Sequence, residues 1–208
     1  MIKKLGVCLL VMLLPLSLQA AEFKEGVHYI KLPQPVRTAD PSRVEVVELF
    51  GYTCPHCNNF EPVLEHWQSQ QPESVKFVRV PVVFSKTWEP YARAYYASEL
   101  LKTLDKTHQA TFDAIHIQRK RLSNQSVISS LYGDLGVDTA AFDKMYNSFA
   151  VSMKLKQGES KVRGYAITGV PSMVVNGKYR ITVDTAGGQK EMLDVVNFLV
   201  EKESQIQK

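Results

Sequence analysis

Cysteine is scarce in this chain: three among 208 residues, at positions 8, 54 and 57. A small exported domain held together by disulfides carries several spaced cysteines, so this fold must stand on its apolar core. A surplus of one charge is missing too. Twenty-five Lys and Arg against 21 Asp and Glu leave a net charge of +4, and the longest basic block is the short Arg119-Lys120-Arg121. That balance gives no footing for nucleic-acid binding. Zinc-site spacing is absent as well. Such a site needs about four ligands, but His28, His66, His108 and His116 have no companion ligand at a suitable interval. His56 lies between Cys54 and Cys57, where it cannot easily complete the same tetrahedron. No internal repeat or low-complexity linker breaks the text. What remains is 45% hydrophobic and 22% charged, enough core for one domain of ordinary size.

The first residues depart from that even composition. Lys3 and Lys4 precede the apolar run LGVCLLVMLLPLSLQA, and Ala20-Ala21 come before the first acidic residue, Glu22. Basic, apolar, then small residues is the order of a secretory signal peptide, here residues 1–20. Cleavage after Ala20 is preferred to Ala21, although Leu18 is bulky for its place before the cut. A retained membrane anchor is the alternative, but the run is short for one and broken by Pro15. Cys8 lies before most of the apolar run and does not fit a lipoprotein cysteine. Losing Lys3 and Lys4 lowers the net charge from +4 to +2 and leaves Cys54 and Cys57 as the mature chain's cysteines.

VEVVELF (44–50) reads as a buried strand in a parallel position. From Cys54 the text CPHCNNFEPVLEHW turns helical, with Pro55 suited to the first turn and Pro62 expected to kink the interior. VKFVRVPVV (75–83) is a second strand, ended by Pro81, and the three segments form a right-handed βαβ unit. Between about Glu89 and Val162 three to five helical segments replace strands, one of them capped by Asp138 or Thr139. Tyr95, Tyr96, Phe112, Phe142 and Phe149 read as core residues of this block. SMVVN and KYRITV, joined by Asn176-Gly177, predict a hairpin, and QKEMLDVVNFLVEKE a final amphipathic helix after Gly187-Gly188. HYIKL (28–32) adds an edge strand. The expected organisation is α/β, with a sheet domain in two parts, residues 21–87 and 163–208, interrupted by a helical domain at 88–162.

The spacing of Cys54 and Cys57 admits a metal clamp, an inert disulfide or a reactive pair. One pair alone falls short of a zinc site, and so small a loop would constrain the unfolded chain little. Redox chemistry is the favoured reading. Cys54 would open the helix, where free backbone N–H groups favour a thiolate. Cys57, one turn later, would be more buried and able to resolve a mixed disulfide. His56 adds positive charge or a donor beside the Cys54 sulfur, with a solvated loop histidine as the alternative. A stabilised thiolate favours the reduced form, so the disulfide acts as an oxidant. Glu48 is out of place in an apolar strand. It is expected beneath the pair as proton partner of Cys57, directly or through water; a surface-facing Glu48 is the alternative.

Cys-Pro-His-Cys at a strand–helix junction of an exported chain, a long helical insertion, and Val170-Pro171 within GVPSMVVNGKY (169–179) together resemble the DsbA family of bacterial periplasmic thiol:disulfide oxidoreductases. The resemblance spans essentially the whole mature chain. It implies a thioredoxin fold with an inserted helical domain, Cys54 as exposed nucleophile and Cys57 as buried resolving cysteine. Pro55 and His56 fill the motif between them. It further implies a cis Pro171 opposite them, with a trans proline opening a strand as the alternative, and Val170 offering backbone groups to an extended substrate. Glu48 matches the family's buried acid, and Arg79 stands where some relatives carry a basic residue near it. Pro62 resembles the helix-kinking proline of thioredoxin. The family is itself a standing example of a depressed cysteine pKa joined to an oxidising potential, so the direction inferred above is not independent of it.

For function, the resemblance implies an oxidase that needs no metal or organic cofactor and acts in the periplasm; a monomer is expected, since no dimerisation module is evident. Its partners would be unfolded or partly folded exported proteins with cysteines, and a DsbB-like quinone-linked membrane protein that re-oxidises it. Phe84, Trp88 and Met173 are candidates for an apolar recognition surface, with core packing as the other reading. An isomerase resembling DsbC would carry an N-terminal dimerisation module, for which too few residues precede the first strand, and usually threonine where this chain has Val170. A reductive thioredoxin relative would have Gly-Pro between its cysteines. A peptide-binding chaperone with an incidental disulfide is the rival of a different class.

Overall fold

The computed structural model describes residues 23–206; the leader expected at 1–20 and Cys8 lie outside the described residues. Strands β1 (Ile30–Lys31), β2 (Val44–Phe50), β3 (Val75–Pro81), β4 (Ser172–Val175) and β5 (Tyr179–Thr182) form one sheet in the order β1-β5-β4-β2-β3. Helix α1 (Pro55–Ser69) joins β2 to β3. Helices α2 (Glu89–Leu101), α3 (Leu104–His116), α4 (Gln125–Asp134), α5 (Thr139–Tyr146) and α6 (Phe149–Gly164) separate β3 from β4, and α7 (Val183–Ala186) and α8 (Gln189–Ile206) end the chain. β2 is parallel to β3 as its apolar run predicts, but antiparallel to β4 on its other side. No helix among the described residues is long and apolar enough to cross a membrane.

Side chains alternate across β2, and this decides where its two acids go. Val44 and Val46 pack with Phe60, Leu64 and Trp67 of α1 and with Val195, Val196 and Leu199 of α8. Val47 and Leu49 pack on the opposite face with Leu32, Val80, Val82, Tyr165 and Ile167. Glu45 follows the second face and meets Lys161 of α6 at 2.8 Å. Glu48 follows the first, toward α1, and has no exposed surface. Its ladder partner on β4 is Met173, which shares that face, so Met173 too is fully buried among the α1 and α8 residues. The recognition surface therefore loses Met173.

The hairpin forms as its Asn-Gly predicts. Asn176 and Gly177 take φ of +50° and +63°, and the Lys178 N–H donates to Val175 O at 2.9 Å, as in a type I′ turn. A side chain at Gly177 would also strike the Val36 carbonyl. β5 stops one residue short of KYRITV, because Thr182 caps α7: the Thr185 N–H donates to its Oγ1 at 3.2 Å.

In the helical block, the Asp138 side chain caps α5 by accepting from the N–H groups of Ala140 and Ala141 at 2.9 and 3.1 Å. Tyr95, Tyr96, Phe112 and Phe142 are core residues, and each fully buried ring of this kind contributes about 1.5–3 kcal/mol. Phe149 is not: it is 79% exposed. α6 turns Val151, Leu155 and Gly158 inward. At 3.6 residues per turn Phe149 sits about 200° around the helix from Val151, on the outer face. The same core takes in Phe50, Tyr52 and Cys57, so the helical block and the sheet domain meet at the cysteines.

Candidate active site

The Pro55–Ser69 helix begins where it does because Pro55 fixes φ and has no N–H to satisfy at the first helical position. That makes Cys54 the N-cap, with extended backbone (φ −87°, ψ 116°). The Cys54 N–H donates back to Gly51 O at 3.0 Å, closing the turn that follows β2. Both cysteines are unbridged; Cys54 is partly exposed and Cys57 buried. Their thiols are unlike. The interaction with the Cys57 thiol, which outweighs the opposing effect of burial, together with the N–H groups of Cys57 and His56 and the charge of His56, brings Cys54 down to about 6. The interaction with Cys54, burial and the nearby charge of Glu48 push Cys57 far up. His56 itself points to solvent; its carbonyl accepts from Gln189 Nε2 at 2.6 Å, which ties the active-site helix to α8.

Across from the pair, the Val170–Pro171 peptide bond is cis. The Cys54 thiol donates to the Val170 carbonyl at 3.5 Å. This loop borders a groove of about 620 Å³, whose walls include His56, Val170, Pro171, Arg180 and Asp184. Phe84 and Trp88 take no part in lining it. Those two lie beside each other, ring centres 5.5 Å apart, with Phe84 44% exposed. The Trp88 ring lies against Gly51, where a β-carbon would overlap it. Gly51→Ala is accordingly expected to displace Trp88 and cost about 1–3 kcal/mol, seen as a lower melting temperature and an altered near-ultraviolet circular dichroism band. Unchanged spectra and stability would show that Trp88 does not depend on this contact.

Beneath Cys57 lies a buried charged cluster of which sequence reasoning named only part. Arg79, the ladder partner of Glu48 on β3, donates from Nε to Glu48 Oε2 at 3.0 Å and from Nη2 to Glu61 Oε2 at 2.9 Å. The surface-facing alternative for Glu48 is thus excluded. Burial and the charge of Glu61 hold the Glu48 carboxyl well above the usual range, against the pull of Arg79. Burial acts the same way on Glu61, but His108 and Arg79 outweigh it and bring that carboxyl down. Glu61 and His108 were missed, although one signal was legible. Glu61 is four residues after Cys57 and adjoins Phe60 on the inward stripe Cys57, Phe60, Glu61, Leu64 of α1. No three His, Cys, Asp or Glu side chains converge as a metal-holding group among the described residues.

The model of the DSBA-like thioredoxin domain matches residues 45–197, most of the chain and all of this site. The chain belongs to the DsbA family. It is 40% identical over 191 residues to a protein of Azotobacter vinelandii named thiol:disulfide interchange protein DsbA, covering 92% of this chain and 89% of the relative. The DsbA of Pseudomonas aeruginosa strain PAO1 is 38% identical over 188 residues, covering 90% and 89%. A crystal structure of Pseudomonas aeruginosa DsbA superposes with a TM-score of 0.85 at 38% identity, over 88% of this chain and 96% of that one. The fold is the thioredoxin fold of DsbA, its helices inserted between β3 and β4, and membership makes this chain a protein disulfide oxidoreductase.

Proposed function

We propose that this oxidoreductase works as an oxidant, giving the Cys54–Cys57 disulfide to reduced exported proteins as they fold. The observation that carries the direction is the inequality of the thiols: Cys54 held down to about 6, Cys57 pushed up. A substrate thiolate attacks the Cys54 sulfur, and the Cys54–Cys57 bond breaks with its electron pair on Cys57. A sulfur of such high proton affinity is a poor leaving group, and Glu48 supplies its proton. A second substrate thiolate then attacks the substrate sulfur of the mixed disulfide. Cys54 leaves readily as a thiolate, the substrate is oxidised, and the enzyme holds a dithiol. Pro171 and Val170 border the groove in which an extended substrate segment would lie, with Phe84 and Trp88 as a separate apolar contact.

Re-oxidation is assigned to a DsbB-like quinone-linked membrane protein, the location to the periplasm, reached through the leader at 1–20, and the working form to a monomer. The divisions near residues 88 and 162 are proposed as the limits of the inserted domain. Equilibration of the mature protein with glutathione tests the direction. A disulfide reduced by mildly reducing glutathione mixtures, with thiolate absorbance titrating near pH 6, is expected. A disulfide that withstands them, with a Cys54 thiol of ordinary pKa, would make the protein a reductase.

A further inference from the structure

One member of the buried cluster has no part in the chemistry above. His108 comes from α3 in the helical insertion, yet its ring is buried, 5.2, 5.7 and 5.4 Å from the rings of Phe50, Tyr95 and Phe112. Its Nδ1 is 2.8 Å from Tyr52 Oη and its Nε2 is 3.2 Å from Glu61 Oε1. A continuous line of contacts thus runs from Glu48 through Arg79 and Glu61 to His108. The titratable and charged groups around the imidazole are Glu61 and Glu65 from α1, Arg79 from β3, Tyr52 from the active-site turn and Tyr95 from α2, with Glu48 of β2 one link beyond.

Counting charge shows what a histidine does there. Arg79 carries one positive charge that it cannot give up. With both carboxylates ionised and His108 neutral, the cluster is left with a net negative charge in apolar surroundings, which is costly. One proton restores neutrality, and it has two seats: the Glu48 carboxyl, whose Oε1 has no hydrogen-bond partner among the described residues, and the His108 imidazole. We propose that His108 is a positioning residue that takes up a balancing proton when Glu48 gives its own to Cys57, keeping the cluster neutral through disulfide exchange. In the dithiol form both seats are within reach of the proton: burial favours a neutral Glu48 and a neutral His108 alike, while Glu61 Oε1, 3.2 Å from Nε2, favours an imidazolium. Once Glu48 has protonated the departing Cys57 sulfur it is a carboxylate, and His108 gains a proton from solvent. When Glu48 is reprotonated, His108 releases it. A neutral side chain at 108 could bond to Glu61 and Tyr52 but could not carry this charge.

The inference rests on the proposed role of Glu48, and the test separates the two. Imidazole ¹⁵N shifts of His108, assigned by through-bond correlation to its own backbone, would be followed with pH in the wild-type dithiol and in Glu48→Gln. With Gln at 48 the cluster is neutral without a second proton, so the apparent pKa of His108 should fall by about one unit or more. In parallel, His108→Gln should alter the pH dependence of the glutathione equilibrium in the wild-type background but not in Glu48→Gln. A His108 that titrates identically in wild type and Glu48→Gln, or stays neutral in both, would overturn the proposal. That comparison leaves residue 108 intact, so it holds even if His108→Gln folds poorly. Unchanged exchange kinetics in Glu48→Gln would instead remove Glu48 as proton partner of Cys57, while its coupling to His108 would still be read from the ¹⁵N shifts.

Discussion

Arg79→Met is expected to destabilise the protein by about 3–5 kcal/mol at neutral pH, the cost of leaving a buried charge without its partner. Arg79 bridges Glu48 and Glu61 at 3.0 and 2.9 Å, and neither carboxylate side chain has exposed surface. Methionine would fill much of the volume and leave the two carboxyls facing each other. Without the guanidinium the folded-state pKa of Glu61 rises above its unfolded value, and that of Glu48, already above it, rises further. The variant is then penalised least below the unfolded value near 4.5, and increasingly as pH climbs above it. Urea unfolding of both proteins between pH 4 and 8 checks this. A loss of stability that did not vary with pH would mean that the role of Arg79 is packing alone. The redox equilibrium of the same variant should shift as well, because the carboxyl next to Cys57 would hold its proton more tightly.

The dithiol form should gain stability over the disulfide form as pH rises from about 6 to about 9. Cys54 titrates near 6 in the fold against 9.0 when free. A group with a lowered folded-state pKa contributes stability fully above its unfolded value and loses it as pH falls to the folded one. Three units correspond to about 4 kcal/mol. Cys54 is only half buried, and solvent screening cuts this to about 2 kcal/mol, or a melting-temperature gap of about 4–8 °C. Cys57 has the opposite sign: its raised pKa withdraws stability above pH 9, so the gap should peak near there. The disulfide form has neither thiol and serves as the reference. In Cys54→Ser the pH-dependent gain between 6 and 9 should vanish. A gap that is flat with pH would mean that the thiolate is not what favours reduction.

Much of this architecture was legible because it is local. β2, the Pro55 helix start, β3 and the Asn-Gly hairpin each depend on residues close in sequence. The cysteine pair and Pro171 were legible from their motifs. Other features depend on faces, and faces are set by neighbours. Met173 reads as a candidate surface residue until its pairing with Glu48 turns it toward α1. Phe149 looks like core until α6 directs Val151 and Leu155 inward. Glu61 lay in plain view on the α1 stripe but invites reading as a surface acid, because burial of a carboxylate makes sense only with a cation at hand. His108 was beyond reach: its place beside Glu61 depends on how a helix some fifty residues away packs against α1. The groove wall formed by Arg180 and Asp184 is hidden in the same way, coming from β5 and α7 rather than from the motif.

The pairing of β2 with β4 has a kinetic consequence. β2 is in the middle of the sheet, and one of its two neighbours is made only after the five helices of the insertion. Half of its hydrogen-bonding edge must therefore wait while most of the chain emerges and a long loop closes, a slow step set by topology. The helices can form early from local contacts. Meanwhile Cys54 and Cys57 would sit on an incomplete sheet, open to reaction with other thiols. Full enclosure of Cys57 comes only when the inserted helices have packed, since it shares their core with Phe50 and Tyr52.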